Sequence, residues 1–301
     1  MEQPPKKTQK VERLPEMPKI GQILREKILE NIENKTDGLD IERVCEFMWS
    51  KNLPVSDFVF FDVEDIPKLQ EILGEKIDVR SLVSDAGGAY LPTLDLILIA
   101  RDREKEKING LVYSEKVLIH EQTHAANSYD KYTKTEEGVY RPRSGFIIMR
   151  GEKLLRGCFL EEALAEMQSG DYFEQNISPK IKKNIQQLYR DRKFVSLRAA
   201  FELLGCEVSE KYFDVIDNGE SFGWSPAAIA ATGLEMLCRK QPKLKEIIIE
   251  ARSDIEKLRE IPKLINDIKP GLYTEIQKCE YTAEDFIRVQ NIIKEAIEDS
   301  K

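Results

Sequence analysis

The stretch VLIHEQTHAANSYDKY, residues 117–132, contains both histidines of this 301-residue chain. His120 and His124 are four residues apart, and Glu121 follows the first of them directly. The apolar residues that open the stretch predict a helix, with Ser114 as its N-cap. Residues four apart lie above one another on the same helical face, so we expect the two imidazoles to be directed at one point.

The His-Glu-x-x-His spacing predicts a metal site. Neutral imidazole is a good zinc ligand, with Zn–N distances of about 2.0–2.1 Å. Glu121 stands about 100° further around the helix, near the ion but turned away from it, where a general base is needed. A histidine on a helix is more often simply packed or hydrogen-bonded. Here, however, both histidines of the chain fall in this one pattern, which favours the metal site.

A third ligand must come from another residue type, because the chain has no third histidine. The stretch FLEEALAEM, residues 159–167, offers candidates on a predicted helix. Glu162 and Glu166 are four residues apart and share a face. One would complete a set of two histidines and one carboxylate, and the other would accept the free N–H of a ligating histidine. The alternative for this pair is the solvated face of an acidic helix, and Glu161 is a competing ligand.

HEQTH followed by EEALAE resembles the gluzincin clan of zinc metallopeptidases, which includes the thermolysin-like and lethal-factor-like enzymes. The resemblance covers about residues 87–170 and extends to no individual enzyme. It implies an α+β, zincin-like metallopeptidase fold with a small mixed sheet, an active-site helix and a mostly helical C-terminal half.

The resemblance also implies roles for the site residues. Glu162 matches the zinc ligand of the second motif, because alanine follows it and an acid stands four residues later. Glu121 matches the general base, and Glu166 matches the acid that supports a histidine. Clan members often stabilise the oxyanion with a further histidine or a tyrosine. The tyrosines near the second motif are therefore candidates: Tyr140, Tyr172 and Tyr212. Tyr140 is favoured among them. The implied ligands of a single Zn²⁺ ion are His120, His124 and Glu162.

The best strand candidate is GGAYLPTLDLILIA, residues 87–100. Pro92 cannot donate a hydrogen bond to a neighbouring strand, which marks at least that part as a sheet edge. Zincins typically lay an extended peptide antiparallel against such an edge, so residues 90–99 are the candidate for binding substrate. The alternative is that these residues form only the core of the sheet.

Composition sets the wider expectations. A net charge of −8 and a pI near 5.2 argue against a nucleic-acid partner. No apolar run is long enough to cross a bilayer, and five scattered cysteines suit a reducing compartment, so the cytoplasm is expected. The expected organisation is a disordered tail over residues 1–18, a catalytic core over 19–176 and a helical C-terminal subdomain over 177–301.

The sequence therefore predicts a zinc-dependent metallopeptidase that acts on peptide or protein substrates. A catalytically silent zincin-fold protein with a binding or regulatory role is the main alternative. Glu121 and His124 also form a Glu-x-x-His pair, which is typical of di-iron helical proteins, although those usually need two such pairs. A helical scaffold without any metal is the remaining alternative.

Overall fold

The computed structural model describes residues 19–75, 77–80, 87–103, 106–107, 110–126, 133–135, 138–140, 143–144, 146–150, 153–183, 205–212, 214–216, 221–223, 226–251 and 254–300. For residues 19, 133–135, 138–140, 143–144, 147–150, 153–156, 210, 214–216, 221–223, 226 and 255 it describes the backbone alone. The predicted tail over residues 1–18 lies outside the described residues.

Helices make up most of the described chain. They are α1 Lys19–Asn31, α2 Ile41–Ser50, α3 Ile66–Leu73, α4 Val112–Ala126, α5 Cys158–Asn176, α6 Pro226–Lys240, α7 Lys243–Glu250, α8 Ile255–Leu258, α9 Glu260–Asn266, α10 Leu272–Gln277 and α11 Ala283–Asp299. The strands are β1 Phe58–Phe61, β2 Gly88–Leu91, β3 Leu96–Ala100, β4 Thr133–Thr135, β5 Gly138–Tyr140, β6 Arg143–Ser144, β7 Ile147–Arg150, β8 Lys153–Arg156, β9 Asp214–Ile216 and β10 Ser221–Gly223. The α+β class is confirmed, whereas the zincin-like fold stays a prediction.

A three-stranded mixed sheet in the order β1-β3-β2 packs against the helix that carries the histidines. Strand β3 runs parallel to β1 and antiparallel to β2. Its run Leu96–Ile99 is buried on both faces: Ile97 and Ile99 pack toward α2 and α4, and Leu96 and Leu98 pack toward α1 and α3. A continuous apolar run suits a central strand that is covered on both sides.

The prediction of one strand over residues 87–100 is wrong, because the segment folds back on itself as the hairpin of β2 and β3. The turn includes Pro92, which has no N–H to give to a ladder, and Asp95, whose φ is +47°. Residues 90–99, the range expected to bind substrate, therefore lie partly in β2, partly in the turn and partly in β3. Among the described residues, strand β2 is an outer strand of the sheet and β3 is its central strand.

Helix α4 lies between the sheet and α5 and packs against both. It begins at Val112, so the prediction of Ser114 as N-cap is wrong: the Ser114 hydroxyl lies inside the helix and donates to Glu106 at 2.6 Å. The helix is polar for a buried element, and its polar groups have fixed partners. The Gln122 side chain, for example, exchanges hydrogen bonds with the backbone of Ser56 at 2.7 and 2.8 Å.

Helix α5 continues the stack, packing on α6, which in turn packs on α11. These three helices share one apolar core with the short helices α7, α9 and α10, which lie between α6 and α11 in the chain. Within the predicted helical subdomain, the antiparallel strands β9 and β10 form a short hairpin, so the C-terminal half is mostly but not wholly helical. None of the helices that the structure describes combines the length and apolar character needed to cross a membrane.

Candidate metal centre

Helix α4 carries both histidines at the point where it faces α5. From Val112 to Ala126 every residue is buried except His120, His124 and Ala126, which are half-buried. The rest of the helix is covered by the sheet and by neighbouring helices. The two imidazoles are therefore the functional groups that this helix presents to an accessible space.

Three donor atoms meet between α4 and α5. The Nε2 atoms of His120 and His124 are 3.1 Å apart. One Glu162 oxygen lies 3.5 Å from the Nε2 of His120, and the other lies 3.6 Å from the Nε2 of His124. In the described part of the chain, this is the one group of three or more such side chains with donor atoms close enough to hold a metal ion.

The other nitrogen of each ring faces its own carboxylate. The Nδ1 of His120 lies 3.2 Å from Glu166, and the Nδ1 of His124 lies 3.1 Å from Glu161. An ionised carboxylate only accepts hydrogen bonds, so in the neutral rings the proton sits on Nδ1. Both Nε2 lone pairs then point into the same small space beside Glu162. A cation or a proton between the two nitrogens would relieve the repulsion of these lone pairs.

Electrostatics favours positive charge at this centre. Burial lowers the pKa of His120, but hydrogen bonds with Glu162 and Glu166 and the charge of Glu121 raise it more, to a value above the ordinary one. The pKa of His124 is also raised: burial lowers it, and Glu162 and Glu161 more than offset that effect. A field that retains a proton on these rings is also a field that attracts a metal cation.

Buried charge at the centre is mainly negative. Four carboxylates with at most 8% exposure surround the histidines: Glu121, Glu161, Glu162 and Glu166. Lys116 is a buried cation beside them, with its Nζ 3.0 Å from Glu166. Burial raises the pKa of Glu166, but the charge of Lys116 and the hydrogen bond with His120 lower it by more. The net result is a pKa well below the usual range of a glutamate. Isolated buried charges are costly, and a bound cation could balance the carboxylate charge that exceeds the charge of Lys116.

Glu121 is held from the opposite side, by the sheet. Its carboxylate accepts a hydrogen bond from the backbone N–H of Tyr90 on β2 at 2.8 Å. The backbone also comes close at Gly88, where an added Cβ would lie 3.1 Å from the Glu121 Cγ. Glu121 therefore lies between the histidine face of α4 and the outer strand of the sheet.

The structure brings together five of the residues that the sequence indicated: His120, Glu121, His124, Glu162 and Glu166. Glu161, considered above as a competing ligand, is directed to His124, and its second oxygen accepts a hydrogen bond from the backbone N–H of Phe146 at 3.0 Å. The sequence signal that could have indicated Glu161 as a partner of a site histidine is its position immediately before Glu162. Lys116 was not anticipated, although it stands four residues before His120 on the same face.

The candidates for oxyanion stabilisation are not brought to the centre within the described part. Tyr140 ends β5, and its side chain lies outside the described residues. The Tyr172 hydroxyl donates to Glu115 at 2.6 Å, and the Tyr212 hydroxyl donates to Glu235 at 2.5 Å. Burial and these acidic partners raise the pKa of both phenols. Each hydroxyl is thus engaged elsewhere.

No family model, curated protein or solved structure matches this chain. The functional argument therefore depends on the geometry of the site and on the motifs themselves.

Proposed function

We propose that this protein is a zinc-dependent metallopeptidase, with His120, His124 and Glu162 as the metal ligands and Glu121 as the general base. The observation that carries the proposal is the convergence of two Nε2 atoms and one carboxylate, with each Nδ1 held by a separate acid. Glu166, facing His120, orients one of the ligating rings.

The distances between the donor atoms are compatible with a zinc ion. Ligand atoms on a tetrahedral zinc ion with bonds of about 2.0–2.1 Å are about 3.3 Å apart. The separations between the three donor groups here are 3.1, 3.5 and 3.6 Å. Two imidazoles and one carboxylate also match the donor set of catalytic zinc sites, in which one position stays open for water or substrate.

In the proposed reaction Glu121 moves the proton. A bound zinc ion would supply Lewis acidity and lower the pKa of a coordinated water to about 7. The Glu121 carboxylate would take the proton from that water and return it to the leaving amine. The hydrogen bond from the Tyr90 N–H holds one carboxylate oxygen of Glu121 and orients the group.

Strand β2 is the proposed docking edge for the peptide. Ala100 donates its N–H to the carbonyl of Gly87, so Gly87 faces β3, and by alternation Gly88 and Tyr90 direct their backbone away from it. The bond from Tyr90 to Glu121 agrees with this direction. A peptide added along this edge would therefore lie beside the base. It would pair with backbone groups of β2 other than the Tyr90 N–H, which donates to Glu121.

The first test is metal content. We expect elemental analysis to find one zinc ion per chain in the parent and a large loss of zinc in His120→Ala. Two iron ions per chain would favour the di-iron alternative, and absence of bound metal would refute the proposal. The folded state of each variant is checked by circular dichroism.

The second test is Glu121→Gln, assayed on a mixed peptide library. We expect a loss of hydrolysis of about 10²–10⁴-fold, because general acid–base catalysis contributes about that much. Zinc content should stay at the parent level, since Glu121 is not among the ligands.

The matched control for this test is Glu174→Gln, an exposed acid near the end of α5, which should cleave like the parent. If Glu121→Gln also cleaved like the parent, Glu121 would not be the base. If the parent bound zinc but cleaved no peptide, the silent binding protein would be the better description.

A further inference from the structure

A buried lysine stands on the same helical face as the two histidines. Lys116 precedes His120 by four residues, and His120 precedes His124 by four, so the three side chains form one stripe along α4. The lysine side chain is 5% exposed. Lysine is among the residues least often buried completely, and its burial usually requires a specific partner.

That partner is Glu166 on α5, whose side chain is 7% exposed. One Glu166 oxygen lies 3.0 Å from the Lys116 ammonium, and the other lies 3.2 Å from the Nδ1 of His120. The carboxylate therefore bridges the lysine and the histidine. The lysine nitrogen also lies 5.9 Å from the centre of the Phe173 ring, which adds a cation–π contact to its position.

The bridge has a geometric consequence for the histidine. A carboxylate that is held at only one oxygen can rotate about its side-chain bonds, whereas one held at both oxygens has a fixed plane. The Glu166 plane in turn sets the direction in which the Nδ1–H of His120 points, and hence the direction of its Nε2. His124 differs, since its carboxylate partner Glu161 is held by the backbone N–H of Phe146 instead.

We propose that Lys116 is a positioning residue of the metal centre: its ammonium holds the Glu166 carboxylate in the orientation that aims His120 at the metal. This inference rests on the proposed function only in requiring that His120 bind zinc. It adds a residue outside the metallopeptidase motifs.

The test is a double-mutant cycle on Lys116 and Glu166, measured as zinc dissociation constants by competition with a chromophoric chelator. Loss of a residue that orients a ligating histidine typically weakens metal binding about 10- to 100-fold, which we expect for both Lys116→Met and Glu166→Gln. In the Glu166→Gln background, Lys116→Met should change the constant by no more than about twofold. A lysine that merely stabilised the helix pair would give additive losses.

Two further measurements separate positioning from general destabilisation. The visible spectrum of the Co²⁺-loaded protein should change in Lys116→Met as it does in Glu166→Gln, because both alter the direction of one ligand. The matched control is Lys211→Met, which removes an ion pair with Asp171 on α5 and contacts none of the proposed ligands. It should leave the zinc constant and the cobalt spectrum unchanged. If Lys116→Met does not fold, the same cycle is run with Lys116→Gln.

The outcomes are distinct. A parent protein that binds no zinc overturns both this inference and the proposed function. A parent that binds zinc and cleaves peptides, with Lys116→Met at the parent constant, overturns the role of Lys116 alone. The role is also overturned if Lys116→Met weakens zinc binding as much in the Glu166→Gln background as in the parent, because Lys116 would then not act through Glu166.

Discussion

Gly88→Ala tests whether the sheet positions Glu121, the proposed general base. Gly88 lies in β2, directly beside the helix that carries the histidines. An added Cβ would lie 2.9 Å from the Cγ1 of Val117 and 3.1 Å from the Cγ of Glu121. Val117 is β-branched and buried in a helix, so its side chain has almost no freedom to rotate away. The substitution must therefore push β2 and α4 apart.

The size of the shift follows from these contacts. Ordinary van der Waals contact begins at 3.4 Å, so about 0.5 Å must be gained at Val117 and about 0.3 Å at Glu121. The hydrogen bond from Tyr90 to Glu121, now 2.8 Å, would lengthen by a similar amount. A misplacement of 1 Å can cost about 100-fold in rate, so we expect kcat to fall about tenfold. Overpacking should also lower the free energy of unfolding by about 1–3 kcal/mol.

The assay compares kcat for peptide cleavage, the zinc dissociation constant and urea unfolding in the parent and the variant. Zinc affinity should change by no more than about twofold, because the proposed ligands lie on α4 and α5 and none lies on β2. The compensating control is Gly88→Ala combined with Val117→Ala, which removes the nearest clashing atom and should restore part of the lost rate.

Two results would refute this reasoning. A Gly88→Ala protein with the parent kcat would show that catalysis does not depend on the spacing between β2 and Glu121. An equal fall in zinc affinity and in kcat would show that the strand acts on the metal ligands rather than on the base.

The remaining predictions concern protons and stability. Because the pKa of His120 is raised by Glu162 and Glu166 despite burial, the metal-free protein should hold a proton near neutral pH that zinc must displace. Calorimetry in buffers of different ionisation enthalpy should therefore find about one proton released per zinc ion, with affinity increasing as pH rises; zero release would contradict this. Arg101→Met should lower the free energy of unfolding by about 3–5 kcal/mol, because it leaves buried Glu106 without its main cation. Urea unfolding measures this loss, and a change below about 1 kcal/mol would contradict it.

Local periodicity made part of the site predictable. A helix repeats every 3.6 residues wherever it lies, so the spacing of His120 and His124, and that of Glu162 and Glu166, already places each pair on one face. The helix predicted for residues 159–167 is present as α5, Cys158–Asn176. The same reasoning failed for the segment over residues 87–100, because the apolar residues on both sides of Pro92 and Asp95 match the pattern of one strand, whereas these two residues lie in a turn.

The sequence by itself determined the residue types of the candidate site and their order along two helices, because these depend on residues only a few positions apart. Which acid serves which histidine was decided by tertiary structure. Glu166 meets His120 across 46 positions and Glu161 meets His124 across 37, so the pairing depends on how α5 is rotated against α4. Packing sets that rotation, through contacts that no local pattern encodes. The same holds for the Tyr90 N–H that orients Glu121, and for Lys116 beside Glu166.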